Sequence, residues 1–164
     1  MKILVLSDSH SSLHFMRKSI LKIRPDHVVH LGDHYDDGRA LAEENPHVRF
    51  HQVPGNCDRC RGDFQMPEIM CYDIAGVRFY MTHGHKHAVK SDLYRLLADA
   101  RKMNANAVLF GHTHQAYYTI EDDGLLVLNP GTCGSSGGSV GLIEAEDGKI
   151  SACRVLRQTD LDML

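Results

Sequence analysis

The chain has 164 residues, 43% of them hydrophobic and 24% charged. That is the composition of one ordinary globular domain, 1–164, and it excludes disordered and fibrous classes and any enzyme built on a full (β/α)8 barrel. A formal net charge of -3 gives no basic field for a polyanion, so stable nucleic-acid binding is not expected.

In chain order, residues 3–6 are a continuous apolar run, suited to a strand buried on both faces, and they stop at Ser7-Asp8-Ser9-His10. The run is too short for a signal-peptide core, and no later run reaches membrane-spanning length. Leu13, Met16, Ile20 and Ile23, at spacings of three and four, predict a helix capped by Ser11 or Ser12 and ended by Pro25. A strand over 28–31, a short helix over 38–44 and a strand over 48–53 complete a βαβαβ opening. Residues 69–74 and 77–82 read as a hairpin around Ala75-Gly76. Leu93, Leu96, Leu97, Ala100 and Met103 mark the apolar stripe of a long helix with Ser91 as its cap. Strands follow at 107–110, 117–121, 125–128, 140–145 and 150–156, with Asp-Gly turns at 123–124 and 147–148, so the second half is expected to be mostly antiparallel sheet. The Gly- and Ser-rich stretch 131–141 lacks the Lys-Ser/Thr ending of a phosphate-cradling loop and reads as a flexible loop.

The 12 His, in a chain with 5 Cys and no Trp, exceed any need of folding and point to metal binding. Their placement supports this. Asp8 and His10 follow the first strand, Asp33 the second, Asn56 the third, His83 the strand ending at Met81, and His112 and His114 the strand ending at Phe110. Five strands thus deliver oxygen or nitrogen donors at their carboxyl ends, where open α/β sheets gather ligand-binding residues. In extended chain residues i and i+2 point the same way, so Asp8-x-His10 and His112-x-His114 are each expected to present two donors together. Gly32, Gly55, Gly84 and Gly111 stand beside donors, where a close approach needs no Cβ. Seven donors are too many for one zinc and suit two metals sharing a bridge.

Asp8-Ser9-His10, Gly32-Asp33-His34-Tyr35-Asp36, Gly55-Asn56-Cys57-Asp58, His83-Gly84-His85 and Gly111-His112-Thr113-His114 resemble, in this order, the motif blocks of the calcineurin-like metallophosphoesterases. The likeness runs from Met1 to about Thr132, and five ordered blocks are far more specific than any one. Size and Asn129-Pro130-Gly131-Thr132 resemble the small stand-alone microbial phosphodiesterases of that superfamily. The resemblance implies an α/β (α+β) fold in which two sheets form a β-sandwich flanked by helices. It also implies that Asp8, His10 and His114 hold one divalent metal ion, that Asn56, His83 and His112 hold another, and that Asp33 bridges them. Mn²⁺ is the expected ion, and Zn²⁺, Fe²⁺ or Ni²⁺ suit the same mixed donors. The implied reaction is hydrolysis of a small phosphodiester or phosphomonoester by in-line attack of a hydroxide bridging the two metals.

Three residues carry the expected catalytic roles. Asn56 donates outward from its amide nitrogen when its oxygen faces a metal. Cys57 stands where much of the superfamily has His, which removes a cationic phosphate contact and a proton donor, and His85 is placed to supply part of that role. Asp36 and Asp58 are expected to orient neighbours or cap turns. Arg59 and Arg61 read as solvated side chains beside Asn56, and His14, His27, His30, His34, His47, His51 and His87 belong to no motif. The cysteines Cys57, Cys60, Cys71, Cys133 and Cys153 are odd in number and irregularly spaced, which favours a reducing cytoplasm over a disulfide framework. Cys57-x-x-Cys60 has no companion pair, so a zinc or redox site there is not expected.

Two other functions compete. A non-catalytic metal-binding scaffold acting through a protein partner would show eroded ligands, and here all seven stand. A metallo-β-lactamase-like hydrolase is hinted at by His83-x-His85-x-His87, yet the chain continues Ala88 without that family's Asp-His step. No membrane partner is expected, and the oligomeric state, a homo-oligomer included, is left open.

Overall fold

In the computed structural model of the chain, which describes residues 1–58, 66–134 and 137–164, the apolar opening forms β1 (Lys2–Leu6), buried from Ile3 onward. It leads to α1 (Leu13–Ile23), whose buried Met16, Ile20 and Ile23 keep the predicted spacing. β2 (His27–His30), α2 (Tyr35–Glu44) and β3 (Arg49–Gln52) follow, and β2 pairs in parallel with both β1 and β3. The helix expected from Gly38 begins earlier, at Tyr35, whose N–H donates to Asp58 Oδ1 at 2.8 Å. Gly38 is instead an interior position pressed on β3, where a Cβ would lie 2.0 Å from Gln52 Oε1.

The hairpin is β4 (Ile69–Ile74) and β5 (Val77–Thr82), closed at Ile74↔Val77. α3 (Tyr94–Lys102) starts later than expected. Asp92 Oδ1 accepts from Tyr94 N–H at 2.9 Å where Ser91 was expected to cap, and Met103, expected in the apolar stripe, lies past the last turn and is 48% exposed. Then come β6 (Ala107–Leu109), β7 (Ala116–Ile120), β8 (Leu126–Pro130), β9 (Ser139–Glu146) and β10 (Lys149–Arg157). A final short α4 (Gln158–Asp162) has no counterpart in the sequence pattern; Asp160 starts it by accepting from Arg157 N–H at 2.7 Å.

Two five-stranded sheets result, in the orders β10-β9-β1-β2-β3 and β4-β5-β6-β8-β7. The expectation of a mostly antiparallel second half is corrected in its centre. β5, β6 and β8 run parallel because α3 crosses over between β5 and β6, and the excursion through β7 returns β8 beside β6. β9 and β10 leave that sheet and pair with β1. Ile3, Val5, Val29, Phe79, Leu109, Leu128 and Ile143 fill the space between the sheets. α1, α2 and α4 cover the outer face of the first sheet, and α3 covers that of the second. This is the two-sheet sandwich with flanking helices that the resemblance implied.

The stretch expected to be a flexible loop is anchored where it is described. Cys133 N–H donates to Ser7 O at 3.0 Å, Thr132 Oγ1 to Asp8 O at 2.8 Å, and residues 139–141 already belong to β9. Arg59, Cys60 and Arg61, and with Cys60 any Cys57–Cys60 pairing, lie outside the described residues, as do positions 135 and 136. Among the described residues, Cys71, Cys133 and Cys153 form no disulfide. Among the described residues no helix is long and apolar enough to cross a membrane.

Several histidines without a motif serve the fold. His27 on β2 and His51 on β3 meet ring to ring, Nδ1 to Nε2 at 2.9 Å, with Tyr72 of β4 over His51. Burial, then His27 and Arg49, push His51 down to about 4. Burial and Arg49 lower His27, against a smaller opposing pull from Asp26. The unfolded chain takes up these protons near 6.5 and the folded chain resists them. The contribution to stability is therefore complete above that value and is lost as pH falls toward 4. Denaturant unfolding of metal-free protein between pH 7 and pH 4 should lose stability more steeply for the wild type than for His51→Gln; equal slopes would refute the assignment.

Candidate metal centre

β1, β2 and β3 are parallel in one sheet, β5, β6 and β8 in the other, and both triplets end at one rim of the sandwich. The seven expected donors stand on the turns leaving β1, β2, β3, β5 and β6. The reason proposed for the Asp-x-His and His-x-His spacing is corrected, because these residues are not extended. Asp8, His10, Asp33, His112 and His114 all have positive φ, between 45° and 68°. For residues with a Cβ this backbone costs about 1–2 kcal/mol each, and such strain clusters at functional sites. Tight left-handed turns, and not the two-residue strand repeat, bring each pair of donors to one side.

One group is formed by Asp8, His10, Asp33 and His114, with one donor atom from each lying within 4.8 Å of all the others. His10 Nε2 and His114 Nε2 are 3.4 Å apart, and Asp8 Oδ1 is 3.1 Å from His114 Nε2. Donors held at 2.0–2.1 Å from a tetrahedral ion stand about 3.4 Å from one another, so these separations match a ligand sphere. Asp8 Oδ1 is buried and accepts no hydrogen bond. Its companion Oδ2 is fully engaged, accepting from Ser7 Oγ at 2.6 Å and His112 N–H at 3.1 Å.

Asn56, His83 and His112 form a second group around Asp33. His83 Nε2 is 3.1 Å from Asn56 Oδ1 and 3.6 Å from Asp33 Oδ1, and the His83 and His112 rings are 5.0 Å apart. His83 Nδ1 lies 2.7 Å from Leu31 O, so it carries the hydrogen, which leaves Nε2 a lone pair facing the two oxygens. Acceptors converging on acceptors beside two buried carboxylates are what a cation resolves, and the donor set fits divalent metal ions. Burial pushes His112 down to about 4, helped by His83 and Lys90, so it is a neutral donor at pH 7. Burial opposes ionisation of Asp33, but His83, the N–H and the thiol of Cys57, and His10 outweigh it and hold the carboxyl below its ordinary value.

His85 lies beside both groups, its ring 5.5 Å from His83 and 6.1 Å from His112. Cys57 is exposed; its N–H donates to Asp33 Oδ1 at 3.0 Å, and Asn56 Nδ2 lies 3.6 Å from its sulfur. Gly55 and Gly111 sit where close approach was expected: a Cβ would fall 2.1 Å from Asp33 Oδ1 at the first and 2.9 Å from Asp8 Oδ2 at the second.

Supporting residues surround the donors. Asp58 accepts from Tyr35 N–H and Gly55 N–H at 2.8 and 2.7 Å, tying the turn of Asp33 to that of Asn56, which is the orienting role expected of it. Asp36 is exposed and faces Arg39 at 3.5 Å. Asp37, not singled out in the sequence, accepts from Ser9 Oγ and Ser11 N–H at 2.7 and 2.8 Å. Asn129 donates to Gly111 O and Thr113 Oγ1, both at 3.0 Å, fixing the His112–His114 turn. Its place at the end of an apolar run was the available signal. His30 and His34 contact Ser9 and Ser11, and His87 contacts Tyr80.

Comparison with known proteins places the chain in a family. The calcineurin-like phosphoesterase superfamily domain matches residues 1–148. A probable metallophosphoesterase of Bacillus subtilis is 35% identical over 80% of this chain and 75% of its own. A phosphodiesterase of Methanocaldococcus jannaschii is 30% identical over 81% and 84%. Among solved structures, Vps29 of Entamoeba histolytica in complex with Zn²⁺ superposes with a TM-score of 0.72 at 21% identity, covering 96% of this chain and 98% of that one. The chain belongs to the calcineurin-like phosphoesterase superfamily.

Asp58→Asn leaves one of two buried N–H groups without an acceptor and loosens both turns. Isothermal titration should show Mn²⁺ binding weakened by about 10- to 100-fold, with Asp36→Asn unchanged.

Proposed function

We propose that the protein is a phosphodiesterase working with two divalent metal ions, Mn²⁺ by preference. Asp8, His10 and His114 hold one ion, Asn56, His83 and His112 the other, and Asp33 lies between them. The buried Asp8 Oδ1, with no hydrogen-bond donor among opposed lone pairs, carries the reading. Divalent ions bound here supply an activated water for in-line attack at phosphorus and the positive charge that draws phosphoryl oxygens. Asp8 and Asp33 leave about two positive charges uncompensated, so an anionic ester is attracted although the chain is acidic overall. The Asn56 amide nitrogen lies on the Cys57 side and is a donor for the phosphate. His85 is the residue proposed to give a proton to the departing oxygen.

Cys57 supports the preference for diesters. A monoester is close to a dianion at neutral pH, whereas a diester carries one charge and a second arm that needs room. An imidazolium at position 57 would favour the dianion, and a small neutral thiol does not. Because the N–H of residue 57 donates to Asp33 Oδ1, exchange of the side chain leaves that hydrogen bond in place and removes only the thiol's own hydrogen bond to the carboxylate. A second reading, a metal-binding scaffold for a protein partner, draws on the shared fold with a protein named for vacuolar protein sorting. It requires that metal-loaded protein hydrolyse neither ester. Proposed as a cytoplasmic enzyme, the protein would meet small phosphoesters there.

Chelation should abolish hydrolysis of bis(4-nitrophenyl) phosphate and Mn²⁺ restore it; full turnover in verified metal-free protein sinks the two-metal reading. Asp33→Asn should lower metal content and rate together, measured by elemental analysis beside kinetics, while His47→Ala leaves both intact. Cys57→His should move kcat/KM toward 4-nitrophenyl phosphate by about 1 to 3 kcal/mol, and Cys57→Ala should retain diesterase turnover. A wild type that prefers the monoester contradicts the proposed selectivity.

A further inference from the structure

A cleft of about 440 Å³ opens beside the β6 turn, within the size range of small-molecule sites. Two wall residues join it to the metal centre. Thr113 stands between His112 and His114 in the chain, and Val89 packs on the turn after His83, where a Cβ on Gly84 would lie 2.9 Å from Val89 Cγ2. Apolar side chains make up much of the lining. Phe110 is almost wholly buried, Leu93 is partly buried, and Tyr117 on β7 stays 43% exposed. Lys90 and Gln115 add polar groups to the lining. The charge of Lys90 is felt at His112, so it is close to the centre as well as in the cleft.

We propose that this cleft receives a planar aromatic ester arm, so that the substrate class is a phosphodiester carrying an aryl or nucleoside group. The inference rests on the phosphodiesterase reading above. A methyl or other small arm would leave the apolar wall to water, whereas a flat ring covers it and stacks on the exposed Tyr117. Lys90 offers a cation to the phosphate to which that ring is joined, and the Gln115 amide offers both a donor and an acceptor to the edge of a heterocycle. β7 provides an internal control. Tyr118, equally exposed at 43%, lines the groove beside β10 on the other side of the strand.

Calorimetric titration of the Mn²⁺-loaded full chain with methyl phosphate, phenyl phosphate and thymidine 5′-monophosphate tests the assignment. Both aromatic esters should bind at least about tenfold more tightly than methyl phosphate. That preference should fall about three- to tenfold in Tyr117→Ala and persist in Tyr117→Phe and Tyr118→Ala. Tighter binding of the thymidine ester, lost in Gln115→Ala, identifies a nucleoside arm; tighter binding of phenyl phosphate identifies an aryl arm. Equal binding of all three, or a preference that survives Tyr117→Ala, overturns the subsite. Failure of the loaded wild type to hydrolyse bis(4-nitrophenyl) phosphate overturns the phosphodiesterase reading instead, and the titration, which reads binding alone, is independent of that outcome.

Discussion

Two carboxylates buried at the ends of neighbouring parallel strands, one of them with an oxygen that accepts no hydrogen bond, are the constraint on which the rest of the molecule depends. Asp8 and Asp33 are 0% and 3% exposed; Asp8 Oδ1 lies 3.1 Å from His114 Nε2, and Asp33 Oδ1, which accepts from Cys57 N–H, lies 3.6 Å from His83 Nε2. Buried charge of one sign costs several kcal/mol per ion unless it is compensated. The surrounding turns must hold this unfavourable arrangement in place, and the hydrogen bonds show how they do it. Ser7 Oγ and His112 N–H hold Asp8, Cys57 N–H holds Asp33, and Thr132 Oγ1 holds the Asp8 carbonyl. These contacts join five separate chain segments, so the turns of Asp8 and Asp33 do not keep their left-handed backbone unaided.

The sandwich makes that convergence possible. Parallel pairing of β1 with β2 and β3, and of β5 with β6 and β8, puts all six carboxyl ends at one rim. The apolar layer of Ile3, Val5, Val29, Phe79, Leu109 and Leu128 locks the two sheets together. A shift of one sheet against the other would separate Asp8 and Asp33 from His83, His112 and His114. The metal centre therefore draws its accuracy from a core that contains none of its residues. Gly55 and Gly111 mark how tight the fit is, since neither carboxylate leaves room for a methyl group.

Periodicity and strand ends made much of this legible before any coordinates. The apolar 3–6 run, the three- and four-residue spacing of Leu13 to Ile23 and the Ala75-Gly76 hairpin correspond to β1, α1 and β4–β5. All seven expected donors lie at the rim, because polar residues placed after apolar strands have nowhere else to go. What local pattern could not carry was contact across long stretches of chain. Asn129 reaches Gly111 over 18 residues and Thr132 reaches Asp8 over 124. Nor does spacing reveal backbone sign: Asp8-x-His10 reads as extended chain and folds as a left-handed turn. The parallel centre of the second sheet was hidden because strand pattern identifies strands and not their neighbours.

Position 57 shows how one residue can serve two ends. Its main chain is committed to Asp33 and so to the metal centre, while its side chain is exposed. A change of side chain there leaves the main-chain bond to Asp33 in place and removes the thiol's own hydrogen bond to the same carboxylate. The aromatic cleft stands on the turns after β5 and β6 in the other sheet, apart from the β3 turn that carries Cys57. In the functional reading proposed above, charge selection at phosphorus and recognition of the ester arm would thus fall to loops with different supports, on either side of the expected donors.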